Sequence, residues 1–155
     1  MVYRTVVRRQ VRTLFAEANA GNWASIVDGL ASTFSYRFVG DTPLGGTRTT
    51  HEAMRRWFER LYRLFPGSQF APQRIVVEGP PWNTRIMTYV KIQGTAPNTH
   101  GAAAPYENEF MQAMILRWGK ITSVLTLEDT QRFVEALPRL AAAGITDATA
   151  SPIID

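Results

Sequence analysis

The stretch YENEFMQAMILRWGKITSVLTLEDTQRF, residues 106–133, decides the fold. Residues 107–117 and 121–128 are β-rich runs separated only by Trp118-Gly119-Lys120, a spacing that suits a hairpin. Side chains alternate along a strand, so Asn108, Phe110 and Gln112 share one face. Asp129 follows the second run and precedes a short helix expected over Thr130–Leu140. Upstream, residues 69–78 and 84–93 are two more β-rich runs with Gly79-Pro80-Pro81 between them. Residues 95–105 (TAPNTHGAAAP) are poor in large apolar groups and are expected to form a flexible loop.

Before residue 66 the period changes. Val7, Val11, Leu14, Phe15 and Ala18 form one stripe of a helix. Ala-Gly-Asn at 20–22 ends it, and Asn22 can cap a second short helix with Trp23, Ile26, Val27 and Leu30 turned inward. Phe34, Tyr36 and Phe38 alternate with Ser35 and Arg37, the period of a half-buried strand; Arg37 is on the surface if the aromatic side is the core, and a buried cation beside Asp41 in the reverse register. GDTPLGG, residues 40–46, is a loop by composition. Thr49 and Glu52 have capping-box spacing. The helix they open buries Met54, Trp57, Phe58, Leu61, Leu64 and Phe65, and Pro66-Gly67 stops it. The order is helix, helix, strand, helix, four strands, helix. It describes one α+β domain over residues 1–140, followed by a C-terminal tail over 141–155.

The chain has 155 residues, 45% hydrophobic and 19% charged, which suits one packed domain rather than a disordered segment. It has no cysteine, so disulfide scaffolds and cysteine-based zinc sites are excluded and a cytoplasmic location is the expectation. No apolar run reaches the roughly 20 residues needed to span a bilayer. The N-terminus scatters arginines among apolar residues, unlike a signal peptide. The net charge of +4 is concentrated in Arg4, Arg8, Arg9 and Arg12 and in Arg55, Arg56, Arg60 and Arg63. Both sets sit at helical spacing among apolar residues, as on the wet side of amphipathic helices. Neither nucleic acid nor membrane is expected as a partner. His51 and His100 are too few and too far apart for a metal site. No Ser-His-Asp order, phosphate loop or dinucleotide fingerprint is present.

NAGNWASIVDGLASTFSYRFVGDTPLGGTRTTHEAMRRWF, residues 19–58, and residues 106–133, taken with this element order, resemble the SnoaL-like polyketide cyclases and ketosteroid isomerases of the nuclear transport factor 2-like superfamily. The resemblance spans roughly residues 5–137. It implies a cystatin-like cone in which a curved mixed or antiparallel sheet packs on three to four helices and encloses an apolar pocket. It also implies a homodimer through the sheet. Fold does not dictate reaction, and the superfamily includes isomerases, cyclases, dehydratases and proteins without activity. The resemblance therefore implies a cofactor-independent enzyme that moves a proton on an apolar carbonyl or ring-containing compound. The alternative is a non-catalytic ligand-binding or dimerisation module.

The position matching the isomerases' general base is Asp41. Such a base must stay ionised yet sit partly desolvated, so that it can take a proton alpha to a ketone. Beside Gly40 and Thr42-Pro43, Asp41 is equally a turn residue bonding its own backbone. Leu14 stands where the isomerases have an oxyanion-binding tyrosine and cannot donate. Gln112 stands where they have an acidic donor, and its amide, with that of Asn108, can bind an oxyanion or serve as a structural hydrogen-bonder. Asp129 resembles the acid/base aspartate of the cyclases and is equally a helix cap. Among the many aromatics, Trp23, Phe38, Trp57, Tyr89 and Phe110 are the candidates to line a pocket for a flat ligand.

Overall fold

A computed structural model describes residues 2–97 and 103–155. Helix α1 (Val2–Asn19) buries Val7, Val11 and Ala18, three members of the stripe, and α2 (Trp23–Asp28) follows after a tight turn. Asn22 precedes α2 without capping it, because its amide donates to the Glu17 carboxylate instead. Strand β1 (Leu30–Phe38) keeps Phe34, Tyr36 and Phe38 inside and Arg37 exposed. The glycine-rich loop then returns as a short strand, β2 (Gly46–Arg48), antiparallel to β1. Composition hid this strand. A Cβ on Gly45 would lie 1.9 Å from the Gly40 carbonyl oxygen, so the loop closes only with glycine there.

Helix α3 (His51–Leu64) starts one residue later than the capping-box spacing suggests. Thr50 is the N-cap and accepts from the Ala53 N–H at 3.2 Å, while Thr49 hydrogen-bonds the Asp155 carboxylate. Strands β3 (Gln69–Glu78), β4 (Thr84–Pro97), β5 (Ala103–Arg117) and β6 (Lys120–Glu128) precede α4 (Thr130–Ala142) and a 3-10 turn at Thr146–Thr149. The expected loop over 95–105 is therefore shorter at both ends, since pairing continues to Pro97 opposite Ala103. Backbone ladders need no large side chains to propagate. The rest of that stretch, with His100, lies outside the described residues.

The strands form one curved sheet in the order β2-β1-β6-β5-β4-β3. The β1–β6 pair is parallel and the others are antiparallel. Register puts Phe38, Thr126, Gln112 and Thr88 in one row across the inner face. Glu128, Phe110 and Val90 form the next row. The outer face carries Arg37, Leu125, Ala113, Met87 and Val76, with Leu127, Met111 and Tyr89 beside them. Among the described residues, no helix is long and apolar enough to cross a membrane.

The β5–β6 turn consists of Trp118 and Gly119, with φ values of 50° and 79°. Both central residues of a type I′ turn need positive φ, which Asn-Gly adopts best. We expect Trp118→Asn to raise stability by about 1 kcal/mol, by relieving the left-handed strain of a bulky residue. Urea midpoints check this. An unchanged or lower midpoint would mean that the Trp118 contact with Trp82, ring centroids 5.9 Å apart, outweighs the strain.

The tail does not hang free. Asp147 pairs with Arg60 at 3.2 Å and with Arg63 at 2.6 Å, and Ala148 and Ile153 are buried. Arg60 thus leaves the solvated arginine face that helical spacing suggests for it, with its side chain only 12% exposed.

Candidate active site

Helical stripes and the inner sheet face are apolar for the same reason: each must be covered to leave water. The curved sheet does not close fully on α1 and α3, so a pocket remains. Leu14, Phe15 and Ala18 line it from α1, Ile26 from α2, and Trp57, Phe58, Leu61 and Tyr62 from α3. Phe133 of α4 also lines it. The cavity has a volume of about 110 Å³. That is several times what one water needs, and its dry walls suit a small ring compound.

Two polar places on the sheet interrupt these walls, besides Ser68 and the Tyr62 hydroxyl, which donates to the Ala18 carbonyl. At the first, the Gln112 amide donates to Thr126 Oγ1 at 2.9 Å, and the Tyr36 hydroxyl hydrogen-bonds with both side chains. Burial pushes the Tyr36 phenol up to about 12, opposed by the charge of Arg48 and by those hydrogen bonds. Tyr36 therefore stays a neutral donor at ordinary pH. At the second place, Glu128 reaches the pocket from the end of β6, near Tyr106. Burial, and secondarily the charge of Asp129, push its carboxyl up to about 8. Among the described residues the carboxyl has neither an ion pair nor a hydrogen bond. Tyr106 stacks on Phe65 with centroids 4.3 Å apart, and its phenol is raised by burial first and by Glu128 second. Thr126 and Glu128 are two residues apart on one strand face, which sets the two polar places about 7 Å apart.

The candidates read from the sequence divide between pocket and elsewhere. Gln112, Phe110, Phe38 and Trp57 line the pocket. Trp57 is fixed there by donating its indole N–H to the Leu44 carbonyl at 2.8 Å. Asn108 is on the inner face but is consumed structurally. Its amide donates to the Tyr106 hydroxyl at 2.9 Å and to the Asp129 carbonyl at 3.1 Å. Trp23 stacks on Phe58 behind the lining, with centroids 6.0 Å apart. Tyr89 lies on the outer face, where its hydroxyl donates to Glu109.

Asp41 is exposed and outside the lining, because the glycine-rich loop turns back as β2 and carries it to the surface. Asp129 caps α4. Its Oδ1 accepts from the Arg132 N–H at 3.3 Å and its Oδ2 faces the Arg132 guanidinium at 3.5 Å. Its side chain is directed at its own helix, away from the cavity. Leu14 lines the pocket without a donor, and Tyr36 of β1 brings a hydroxyl from the opposite wall.

Glu128, Tyr36, Tyr106 and Thr126 are the lining residues that pattern reading passed over. No local signal marks Glu128: a two-residue turn at Trp118-Gly119 alone would set Leu127 opposite Phe110, and the bulge between Ile115 and Leu116 is what brings Glu128 there, on the face of Thr126 and opposite in parity to Asp129.

The SnoaL-like domain model matches residues 11–124. Among curated proteins none matches this sequence. PrhC from Penicillium brasilianum is similar in structure at TM-score 0.76 and 14% identity, over 94% of each chain. A nuclear transport factor 2-like protein of unknown function from Burkholderia pseudomallei is similar at TM-score 0.69 and 17% identity, over 83% of this chain and 94% of that one. TerC, crystallised with polyporic acid, is similar at TM-score 0.65 and 20% identity, over 81% of this chain and 92% of that one. The matched region holds α3, most of the sheet and nearly all the pocket lining, and the chain belongs to the SnoaL-like domain family.

Proposed function

We propose that this chain is a cofactor-independent enzyme that transfers a proton on an apolar, ring-containing carbonyl compound, with Glu128 as the acid/base. The observation that carries this reading is a carboxyl with no partner among the described residues, on the pocket wall and about 7 Å along the same sheet face from hydroxyl and amide groups. A ketone oxygen would lie against the Tyr36 hydroxyl and the Gln112 amide, taking the place of the hydrogen bond these two groups make with each other. Glu128 in its ionised form takes a proton from a carbon of the same ligand. The C–H electron pair moves into the new C=C bond, and the carbonyl oxygen becomes an enolate held by those donors. Returning the proton to another carbon completes an isomerisation. Attack of the enolate carbon on a second carbonyl would complete a cyclisation.

The test is exchange of the alpha hydrogens of 2-tetralone in deuterium oxide, followed by proton NMR. Wild type should accelerate exchange, Glu128→Gln should remove the acceleration, and Asp41→Asn should keep it. No acceleration by wild type would leave a ligand-binding module. Loss with Asp41→Asn would return the base to that loop.

We also infer that the outer-face residues Val76, Met87, Met111 and Leu127, all exposed, seat a second copy of the chain. Sedimentation equilibrium should give twice the 17.4 kDa chain mass. Met111→Lys should shift it toward monomer, and a monomeric wild type would remove the inference.

A further inference from the structure

We propose that Arg48, buried behind the pocket wall, makes this site select ring compounds that bind as anions, those carrying an acidic enol or phenol. The proposal rests on the reading of the pocket as a ligand site and adds the charge class of what enters it.

Arg48 has no solvent exposure and is the largest side chain so deeply buried. Its guanidinium donates to the carbonyls of Gly45, Gly46 and Ile153, each at 2.9 Å, and to that of Tyr36 at 3.5 Å. Its Nε has no partner. Among the described residues, no carboxylate lies within ion-pairing distance. The positive charge is thus solvated by carbonyl dipoles and is not cancelled by a counter-ion. Burying a charge this way is costly, and an apolar side chain of similar volume often does better for stability alone.

What the arginine faces gives it a use. Its Cζ lies 5.9 Å from the Tyr36 ring centroid and 5.3 Å from that of Trp57, and both rings line the pocket. The cation therefore stands one ring's breadth from the ligand space, in surroundings that screen it weakly. The other charges near it are few. Asp155 is exposed and engaged by Thr49 and Thr50, and Arg60 is held by Asp147. Glu128, the acid in the cavity itself, carries a proton at neutral pH and does not offset the field. A ligand oxygen accepting from Tyr36 would feel Arg48 through that phenol, and a negative oxygen would gain most. Arg48 is thus a positioning residue acting through Tyr36.

The experiment is titration of the protein with 4-nitrophenol one pH unit below that ligand's own pKa, reading the absorption band of the phenolate. Wild type should bind it as phenolate. Across a series of nitro- and chlorophenols, affinity at fixed pH should rise with ligand acidity. Arg48→Met should return the bound spectrum to the neutral phenol and weaken binding about tenfold, the equivalent of one pKa unit. Arg48→Lys should retain part of the phenolate band. Binding of the neutral phenol by wild type, no binding, or an affinity indifferent to acidity would each overturn the proposal. The wild-type series decides the matter even if Arg48→Met does not fold. Tetralone exchange lost while phenolate binding persists counts against the enzymatic reading alone. Exchange intact with neutral phenol bound counts against this proposal alone.

Discussion

Glu128→Gln should lower the rate of tetralone exchange by about 10² to 10⁴, the usual contribution of a positioned acid or base. The amide keeps the shape of the side chain and removes only its proton chemistry, so a fall of this size would not reflect lost packing. The pH profile carries a second signature. With the carboxyl raised to about 8, roughly a tenth is ionised at pH 7. Exchange by wild type should therefore rise about tenfold per unit below that value and level off above it.

Stability should move in the opposite direction. The folded carboxyl holds its proton up to about 8, whereas the unfolded chain releases it near the ordinary 4.5. Between those values the folded state binds more protons, so raising the pH favours unfolding. The stability linked to this proton is fully present below 4.5 and is lost as pH passes through about 8. Glu128→Gln should abolish that loss. At pH 9 it should be more stable than wild type by on the order of 2 kcal/mol, a figure reduced for the residue's partial contact with solvent. Urea titrations at pH 5, 7 and 9 check this. Parallel stability curves for the two proteins would show that Glu128 titrates as an ordinary surface carboxylate and would sink the assignment.

Ending the chain after Ile145 should cost about 4 kcal/mol, a large part of the stability of a domain this size. The largest share comes from Arg48, which loses the Ile153 carbonyl from a charged, buried guanidinium; a hydrogen bond to a charged group is worth about 1.5 to 3 kcal/mol. Arg60 loses both Asp147 and the Ser151 carbonyl. Deleting the buried Ile153 and Ala148 removes their apolar burial, about 2 kcal/mol. Asp155 no longer holds Thr49 and Thr50 at the start of α3. Asp147→Asn in the full chain should lose only about 1 kcal/mol, since Arg63 is exposed and Arg60 keeps its carbonyl partners. Urea midpoints at constant slope measure both. A truncated chain as stable as the full one would mean that the last ten residues are no part of the fold.

Local pattern was enough for much of this molecule. The stripe of Met54, Trp57 and Phe58 determined which side of α3 turns inward, since those residues recur at the helical period. Alternation along β5 placed Phe110 and Gln112 on the pocket face together, and the short Trp118-Gly119 spacing set the hairpin. These are repeats within a few residues, and burial selects them directly.

What escaped depends on distant neighbours. Asp129 and Glu128 are adjacent carboxylates, and only the strand register decides that Glu128 enters the pocket while Asp129 caps α4. One residue of slip exchanges their faces. Asp41 looked suited to the base, but the return of the loop as β2 carries it outward. Arg48 follows a glycine-rich loop, a setting that suggests solvent. It is buried because the tail closes over it from more than 100 residues away. Whether a charged group is wet or dry is a sum over everything packed around it. Sequence by itself determined the faces of the elements, and only the tertiary structure decided which charges those faces enclose.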